Sequence, residues 1–569
     1  MTSNSSSAVG ILRWDLFLLL LLGGHLIWLF SHFLPITVGP DAGGLFVQAR
    51  LLATELTTGF RPESPMQFLG THWMETLDGD FHSRYPPGFP LLMAAAYALG
   101  GPRAPFYLNP ILATCVVGLT YLVGRRLMGK GMAFWAASLV ATLPILNRLA
   151  LHGDAHVAAT ALLLLGVWLL LRWEDRPSWF GAFLGGLAFG ILPTVRYPEA
   201  VVAFGVIAFF ALQSRRDRWY RGFLPATVGA SLPLLLLGLH NARVYGAPWR
   251  TGYGFTNEQS AFSPSHLAAN LPTYLDALTT GGVGLFFLLG SVGIVWMCIG
   301  SKSRTRGGLF LGAVASLTLL YSAYYWGAQE EAELTLRYFL ATLPLFVLGT
   351  LWLVQRIPYR RASLGLFSLL TILYLGRALP EGSRSLLEEW VGMARGQAVS
   401  VAVTETVPPG SVLIARREIQ DMLDYFGRWR LVDDRMIPGT PGRLEATLVW
   451  ELTDEDRSQL SGIPTPVQIT KAVEARIRYV DLDDRELSSL VLEDLRDWVG
   501  SDGRIFWLGN PRTVEAFGRL AGDDVRLLPL GEVNLPGWGG GTVLPAWVPK
   551  APLLLFELEI SDYQNGGVR

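Results

Sequence analysis

Residues Gly39 to Pro90 read GPDAGGLFVQARLLATELTTGFRPESPMQFLGTHWMETLDGDFHSRYPPGFP. What this stretch does between two apolar runs decides the fold. A single acid, Asp41, follows a Gly-Pro corner. The spacing of Leu45, Ala49, Leu52 and Leu56 then predicts an amphipathic helix lying on a surface. A polar bridge follows, with His72, Asp78, Asp80, His82 and Arg84. It closes on Tyr85-Pro86-Pro87-Gly88. The prolines enforce an extended approach and then suit a first helical turn, where no N–H is needed. An acid, a surface helix and a rigid corner make a poor linker and a reasonable rim for a site at a membrane face.

The composition agrees with a membrane setting. Of 569 residues 51% are hydrophobic and only 16% charged, where soluble domains carry about 25% charged residues. The net charge of −1 gives no basic field for nucleic acid. Cys115 and Cys298 both fall in apolar runs and read as packing residues with no disulfide signal. Met1–Gly10 reads as a polar tail without structure, and the run Leu16–Phe33 as a retained first span rather than a cleaved signal.

Further apolar runs lie at Tyr107–Val123, Met132–Leu149, Ala155–Leu171, Phe180–Val195, Ala200–Leu212, Gly222–Leu239, Val283–Ile299, Leu309–Tyr325, Leu336–Val354 and Leu364–Leu375. Basic clusters sit between them at Arg125/Arg126/Lys130, Arg172/Arg176, Arg215/Arg216/Arg218/Arg221, Lys302/Arg304/Arg306 and Arg356/Arg360/Arg361. Short cytoplasmic loops carry such an excess. All five share one side, with Arg13, only if the short segment Phe89–Leu99 does not cross, and about eleven residues of helix reach roughly 17 Å of a core of about 30 Å.

The expected fold is a polytopic α-helical membrane protein with about eleven transmembrane helices. Residues 1–13 form a cytoplasmic tail and residues 14–379 the membrane domain, with its loop 35–90 on the non-cytoplasmic face. Residues 380–569 form a soluble α/β domain on that same face. Within the last part, Ser411–Ala415, Trp429–Val432 and Arg504–Leu508 read as strands, and Glu418–Tyr425 and Leu492–Val499 as helices. No phosphate-cradling glycine motif and no internal repeat is present.

The residues suited to chemistry gather on the non-cytoplasmic face. Asp41 and Asp154 each follow an apolar run and each would also serve as a helix N-cap. His152 and His156 flank Asp154; with His82 they leave a divalent metal open as a cofactor. Arg196 and Arg337 lie at run ends, each followed by a tyrosine (Tyr197, Tyr338). They either snorkel to headgroups or offer a bidentate fork to a lipid phosphate. The loop His240–Tyr253 holds Asn241, Trp249 and Tyr253, which serve as belt anchors or stack on a sugar.

Taken in order, Asp41, Tyr85-Pro86-Pro87-Gly88, Asp154, Arg196-Tyr197-Pro198, Asn241 with Tyr245-Gly246-Ala247-Pro248, and Arg337-Tyr338 with Pro344 resemble the membrane glycosyltransferases of the GT-C fold. The resemblance runs to the protein O-mannosyltransferases and the bacterial lipid A aminoarabinose transferases, over roughly residues 14–379. It implies a polyprenyl-phosphate sugar donor, a lipid, glycan or protein acceptor glycosylated outside the cytoplasm, and Asp41 as catalytic base or acceptor-orienting group, with Asp154 beside it. Arg196, Arg337, Tyr338, Arg84 and Tyr85 would face the donor phosphate. His82, Asn241, Trp249 and Tyr253 would contact substrate. The chain departs from the mannosyltransferases in having Asp41-Ala42 for an acidic pair, and from the aminoarabinose transferases in having Arg84-Tyr85 for Glu-Lys. The resemblance places the protein in a bacterial inner membrane.

Two other classes fit the same architecture: a transporter or flippase for lipid-linked sugars, and a non-enzymatic scaffold acting through the C-terminal domain. Transporters place ionisable groups near the midplane, often in two related halves. Here the charges collect at one face.

Overall fold

A computed structural model of the chain describes residues 5–37, 39–64, 66–70, 72–76, 79–213, 219–255, 258, 261–325, 335–424, 427–434, 437, 484–500, 503–537 and 552–560. Asp78, the cluster Arg215/Arg216/Arg218 and the loop 326–334 lie outside the described residues.

The first ten helices are α1 (Ser5–Phe30), α2 (Gly39–Thr54), α3 (Gly88–Gly100), α4 (Leu108–Met128), α5 (Lys130–Ala141), α6 (Pro144–Leu151), α7 (His156–Asp175), α8 (Trp179–Val195), α9 (Ala203–Gln213) and α10 (Tyr220–Tyr245). The polar tail is shorter than expected, since α1 already begins at Ser5. Among the described residues six helices are long and apolar enough to cross a membrane: Arg13–Phe30, Ala104–Met128, His156–Asp175, Tyr220–Tyr245, Leu336–Val354 and Arg360–Thr406. Two bent pairs bring the number to eight if each is one span: α5 with α6, at 57°, and Pro264–Gly282 with Leu285–Ile299, at 113°. The remaining runs of the eleven are helical too, in α8, α9 and Arg304–Ser322, but fall outside that set.

Both bends have local causes. Leu143, ahead of Pro144, is extended at ψ 114°, as a residue before proline must be. Gly284 sits at φ +60°, open to glycine without cost. Helices α8 and α10 approach along small residues. A side chain at Gly186 or Gly190 would stand 1.9 or 2.4 Å from the backbone of Ala226 or Ala230. Such small-residue seams let helix backbones meet in lipid, where no hydrophobic drive brings them together.

The basic loops converge at one end of the bundle. Arg306 bonds Glu174, Asp175 and the carbonyl of Arg126; Arg126 pairs with Asp175, and Lys130 with Asp15. Gln355 donates to the carbonyl of Met128. Helix α3 does not reach that end. Its first residue, Gly88, packs on Thr194 at the end of α8. Shortly after α3, Asn109 at the start of α4 donates to the carbonyls of His152 and Asp154. Both ends of α3 therefore lie at the end opposite the basic loops.

Helix α2 corrects the expectation. It is neither amphipathic nor superficial: Gly39 and every residue from Ala42 to Leu51 are buried, Gln48 and Arg50 included. It ends at Thr54, so Leu56 lies beyond it, at φ 55° and 89% exposed. The helix is covered on its second side by the C-terminal region. Arg50 pairs with Asp424 at 2.8 Å, Thr37 donates to the carbonyl of Asp421, and Phe68 N–H donates to Leu431. The intervening loop forms a three-stranded antiparallel sheet of β1 (Gly59–Phe60), β2 (Trp73–Glu75) and β3 (Phe81–Ser83), with β3 central. Cys115 also departs from its reading, facing outward rather than packing in the core.

The helix Arg360–Thr406 runs for 47 residues, about 70 Å, over twice the apolar core of a bilayer. The composition change near Pro380 thus falls inside one continuous helix. Beyond it, β4 (Val412–Ala415), β5 (Arg430–Asp433), β6 (Ile505–Gly509), β7 (Val525–Val533) and β8 (Leu553–Ile560) form a sheet in the order β5-β4-β6-β8-β7. β4 is parallel to β5 and β6, and β8 antiparallel to β6 and β7. Every residue of β4 and β6 is buried, as strands covered on both faces require. The expected helix Glu418–Tyr425 is only a single turn, Arg417–Gln420.

Candidate active site

The end of the bundle opposite the basic loops holds a partly open pocket. Its walls are Asp41 and Leu45 of α2, Tyr85 and Pro86 of the proline corner, Asp154, Ala155 and His156 where α7 begins, Val195 and Arg196 where α8 ends, and Tyr253. Five separated pieces of sequence thus meet.

Close packing explains why they meet. Gly44 lies against the His72 ring, where an added Cβ would come within 2.1 Å; at Gly43 it would come within 2.4 Å of the Asp421 carbonyl. The turn holding Gly153 rests on Ala42, whose methyl would stand 3.2 Å from a Cβ there. That contact brings the Asp154 turn beside Asp41 and explains the small residue at position 42.

Asp41 is not an N-cap: it lies in the first turn of α2. Its Oδ1 accepts a hydrogen bond from the Tyr85 hydroxyl at 2.7 Å, and that hydroxyl accepts one from Arg84 at 2.9 Å. Arg84 is itself paired with buried Glu258 at 2.8 Å. Behind them His72, wholly buried, lies 2.6 Å from the Ser83 hydroxyl, which accepts the Tyr85 N–H. Asp154 is not the N-cap of α7 either, that position being Ala155; from one residue further back it accepts the His156 N–H at 3.1 Å. Arg196 is spent on three partners: Glu199 at 2.8 Å, His156 at 3.0 Å and the Tyr321 hydroxyl at 3.0 Å. Arg337 lies over the Tyr338 ring and donates to its hydroxyl, and Tyr338 stacks on Tyr321 at 4.9 Å.

The two carboxyls are driven in opposite directions. Burial would raise Asp41, but Arg84, Arg337 and the Tyr85 hydroxyl outweigh it and hold the carboxyl below its ordinary range. Burial wins at Asp154, which stays above that range despite His152, Arg196 and Arg337. Burial likewise pushes His72 down to about 3. One pocket therefore holds a carboxylate ionised at neutral pH and a second that keeps its proton longer, the usual mark of divided acid–base roles.

Other expected residues fall elsewhere. His82 is on β3, beside Thr58, and does not line the pocket. Asn241 accepts from Tyr197 and donates to the carbonyl of Pro248, tying its own loop. Trp249 is 79% exposed. Tyr253 does reach the pocket, its ring 5.9 Å from that of Tyr85. The candidate metal ligands are not gathered: His152 pairs with Glu389, His156 accepts from Arg196, and no three such ligands converge among the described residues. Glu258, Tyr321 and Glu389 went unnoticed in the sequence. They are ordinary residues whose partners lie over a hundred positions away.

The family model for dolichyl-phosphate-mannose-protein mannosyltransferases matches residues 84–239, from Arg84 through most of α10. Among solved structures, ArnT from Cupriavidus metallidurans bound to undecaprenyl phosphate superposes with a TM-score of 0.58, covering 95% of this chain and 97% of that one at 12% identity. This chain has the GT-C fold of ArnT. The apo state of that protein gives a TM-score of 0.55 at 11% identity, over 97% of this chain and 98% of that one. An Archaeoglobus fulgidus oligosaccharyltransferase, tethered to an acceptor peptide containing the NVT sequon, shares the GT-C fold more loosely. Its TM-score is 0.51 at 11% identity, over 85% of this chain and 70% of that one. No curated protein matches the chain in sequence.

Proposed function

We propose that the protein is an integral membrane glycosyltransferase that moves a sugar from a polyprenyl-phosphate donor to a lipid, glycan or protein acceptor on the non-cytoplasmic face. The observation that carries this reading is the pairing of an ionised Asp41, bonded by Tyr85, and a raised Asp154 in one pocket beside the half-buried Arg84, Arg196 and Arg337. The GT-C fold, and the lipid phosphate bound to ArnT, support it. All eleven apolar helices cross, α3 does not, and the basic end of the bundle faces the cytoplasm.

In the reaction an acceptor hydroxyl or amine attacks the anomeric carbon as the bond from that carbon to the phosphate oxygen breaks. The departing phosphate gains charge. Arg337, Arg84 and Arg196 would stabilise it more in the transition state than in the bound donor. An O–H or N–H that has begun to bond to carbon becomes strongly acidic, so even a weakly basic carboxylate can take its proton. Asp41 fills that role, oriented by Tyr85, and Asp154 assists from the facing turn.

The test is a panel of undecaprenyl-phosphate-linked hexoses and pentoses, given to the purified protein with membrane extract as acceptor. Release of undecaprenyl phosphate from at least one member is expected. No release from any, by a folded protein that binds undecaprenyl phosphate, would remove the reading.

A further inference from the structure

Outside the pocket, the described part of the bundle holds one carboxylate that is wholly buried, Glu389 of the helix Arg360–Thr406. It stands 2.8 Å from Nε of Arg148 on α6 and 2.9 Å from Nε2 of His152. It lines no part of the pocket. A carboxylate taken this far from water is costly unless fully paired, and an apolar side chain would join two helices as well or better. What an apolar side chain could not do is grip the imidazole of His152.

His152 opens the turn between α6 and α7, two positions before Asp154. The backbone of this turn is held from the other side by Asn109, which donates to the carbonyls of both residues. Its middle residue, Gly153, rests on Ala42 next to Asp41. A shift of the turn would therefore move Asp154 and press on the helix that carries Asp41.

We propose that Glu389 is a positioning residue for the transfer reaction, fixing through His152 the turn that aims Asp154 into the pocket. The long helix, continuous from the bundle to the C-terminal sheet, thereby sets the geometry of the site. The inference rests on the role given to Asp154 above. A displacement of about 1 Å at a reacting group can cost on the order of 100-fold in rate, so the contact need not touch substrate to matter.

A double-mutant cycle on the full-length protein in detergent tests it, with Glu389→Gln, Asp154→Asn and the pair. Each variant is measured for undecaprenyl phosphate affinity, thermal midpoint and turnover as undecaprenyl phosphate released. Glu389→Gln should lower turnover roughly 10- to 100-fold with undecaprenyl phosphate affinity within about twofold of the parent. The pair should be no slower than Asp154→Asn alone, because residues acting as a unit are non-additive. Parental turnover in Glu389→Gln, or losses that multiply in the pair, would overturn the role of Glu389 and leave the glycosyltransferase reading standing. Parental turnover in Asp154→Asn would instead withdraw Asp154 from the site and Glu389 with it. If Glu389→Gln does not fold, His152→Leu enters the same cycle, since it releases the turn while keeping the Arg148–Glu389 pair.

Discussion

Replacing Asp41 by Asn separates chemistry from scaffolding. The amide has nearly the shape of the carboxylate, and its oxygen can still accept the Tyr85 hydroxyl now bonded at 2.7 Å. Asp41 caps no helix, so no cap is lost. Arg84 keeps Glu258 as its partner. What changes on the structural side is one hydrogen bond to a charged acceptor turned into one to a neutral acceptor, about 1 kcal/mol. What changes on the chemical side is the loss of the base, typically worth roughly 10²–10⁴-fold in rate, about 3–5 kcal/mol of barrier. The two effects differ enough to be told apart. Melting of the detergent-solubilised protein should shift slightly, undecaprenyl phosphate affinity should stay near the parent, and turnover should fall by at least about a hundredfold. Turnover within a few-fold of the parent in a stable Asp41→Asn protein would refute the reasoning, and the base would have to be sought at Asp154.

Arg337→Lys keeps the charge but loses the planar fork held over Tyr338; undecaprenyl phosphate affinity measured by titration should weaken roughly 10- to 100-fold, the value of one charge-assisted contact. Asp421 is buried among Glu418, Asp433 and Asp41, with only Arg417 opposing, and its carboxyl is pushed up to about 7. An acid raised on folding binds its proton more tightly in the native state, so its contribution to stability falls as pH rises from the unfolded value and is gone above about 7. The thermal midpoint should therefore drop between mildly acidic and mildly alkaline buffer, and Asp421→Asn should flatten that slope. Accessibility tags at Lys302 and Arg360 should be reached from the cytoplasm, and a tag near Gly410 only from the other side; a cytoplasmic C-terminal sheet would undo the placement of the site.

The membrane helices were legible because lipid imposes a simple rule: each run of apolar residues must close its own backbone hydrogen bonds as a helix. Short α3 was legible as a helix of its own after the proline corner, and both its ends lie at the pocket end of the bundle. Helix α2 was misread because periodicity assumes one wet face. Here the second face is covered by Asp421 against Gly43 and by Asp424 against Arg50, 374 positions away. Asp41, Asp154 and Arg196 stood out because they lie at the run ends opposite the basic clusters, where charged residues are few. Glu389 and Glu258 did not, since only the folded chain reveals which arginine or histidine each one faces. Strands β4 and β6 showed as apolar runs. β7 was hidden by Pro529 and Gly531, which it tolerates as the last strand of the sheet.

The most direct test of the central claim follows the sugar itself. Undecaprenyl phosphate carrying a radiolabelled sugar is placed in proteoliposomes with the full-length protein and membrane extract, and the label is traced. The glycosyltransferase account predicts label leaving the polyprenyl lipid for a new covalent linkage in an acceptor, at a rate that collapses in Asp41→Asn. Label that crosses the bilayer still attached to undecaprenyl phosphate, with no transfer, would contradict it and favour a flippase.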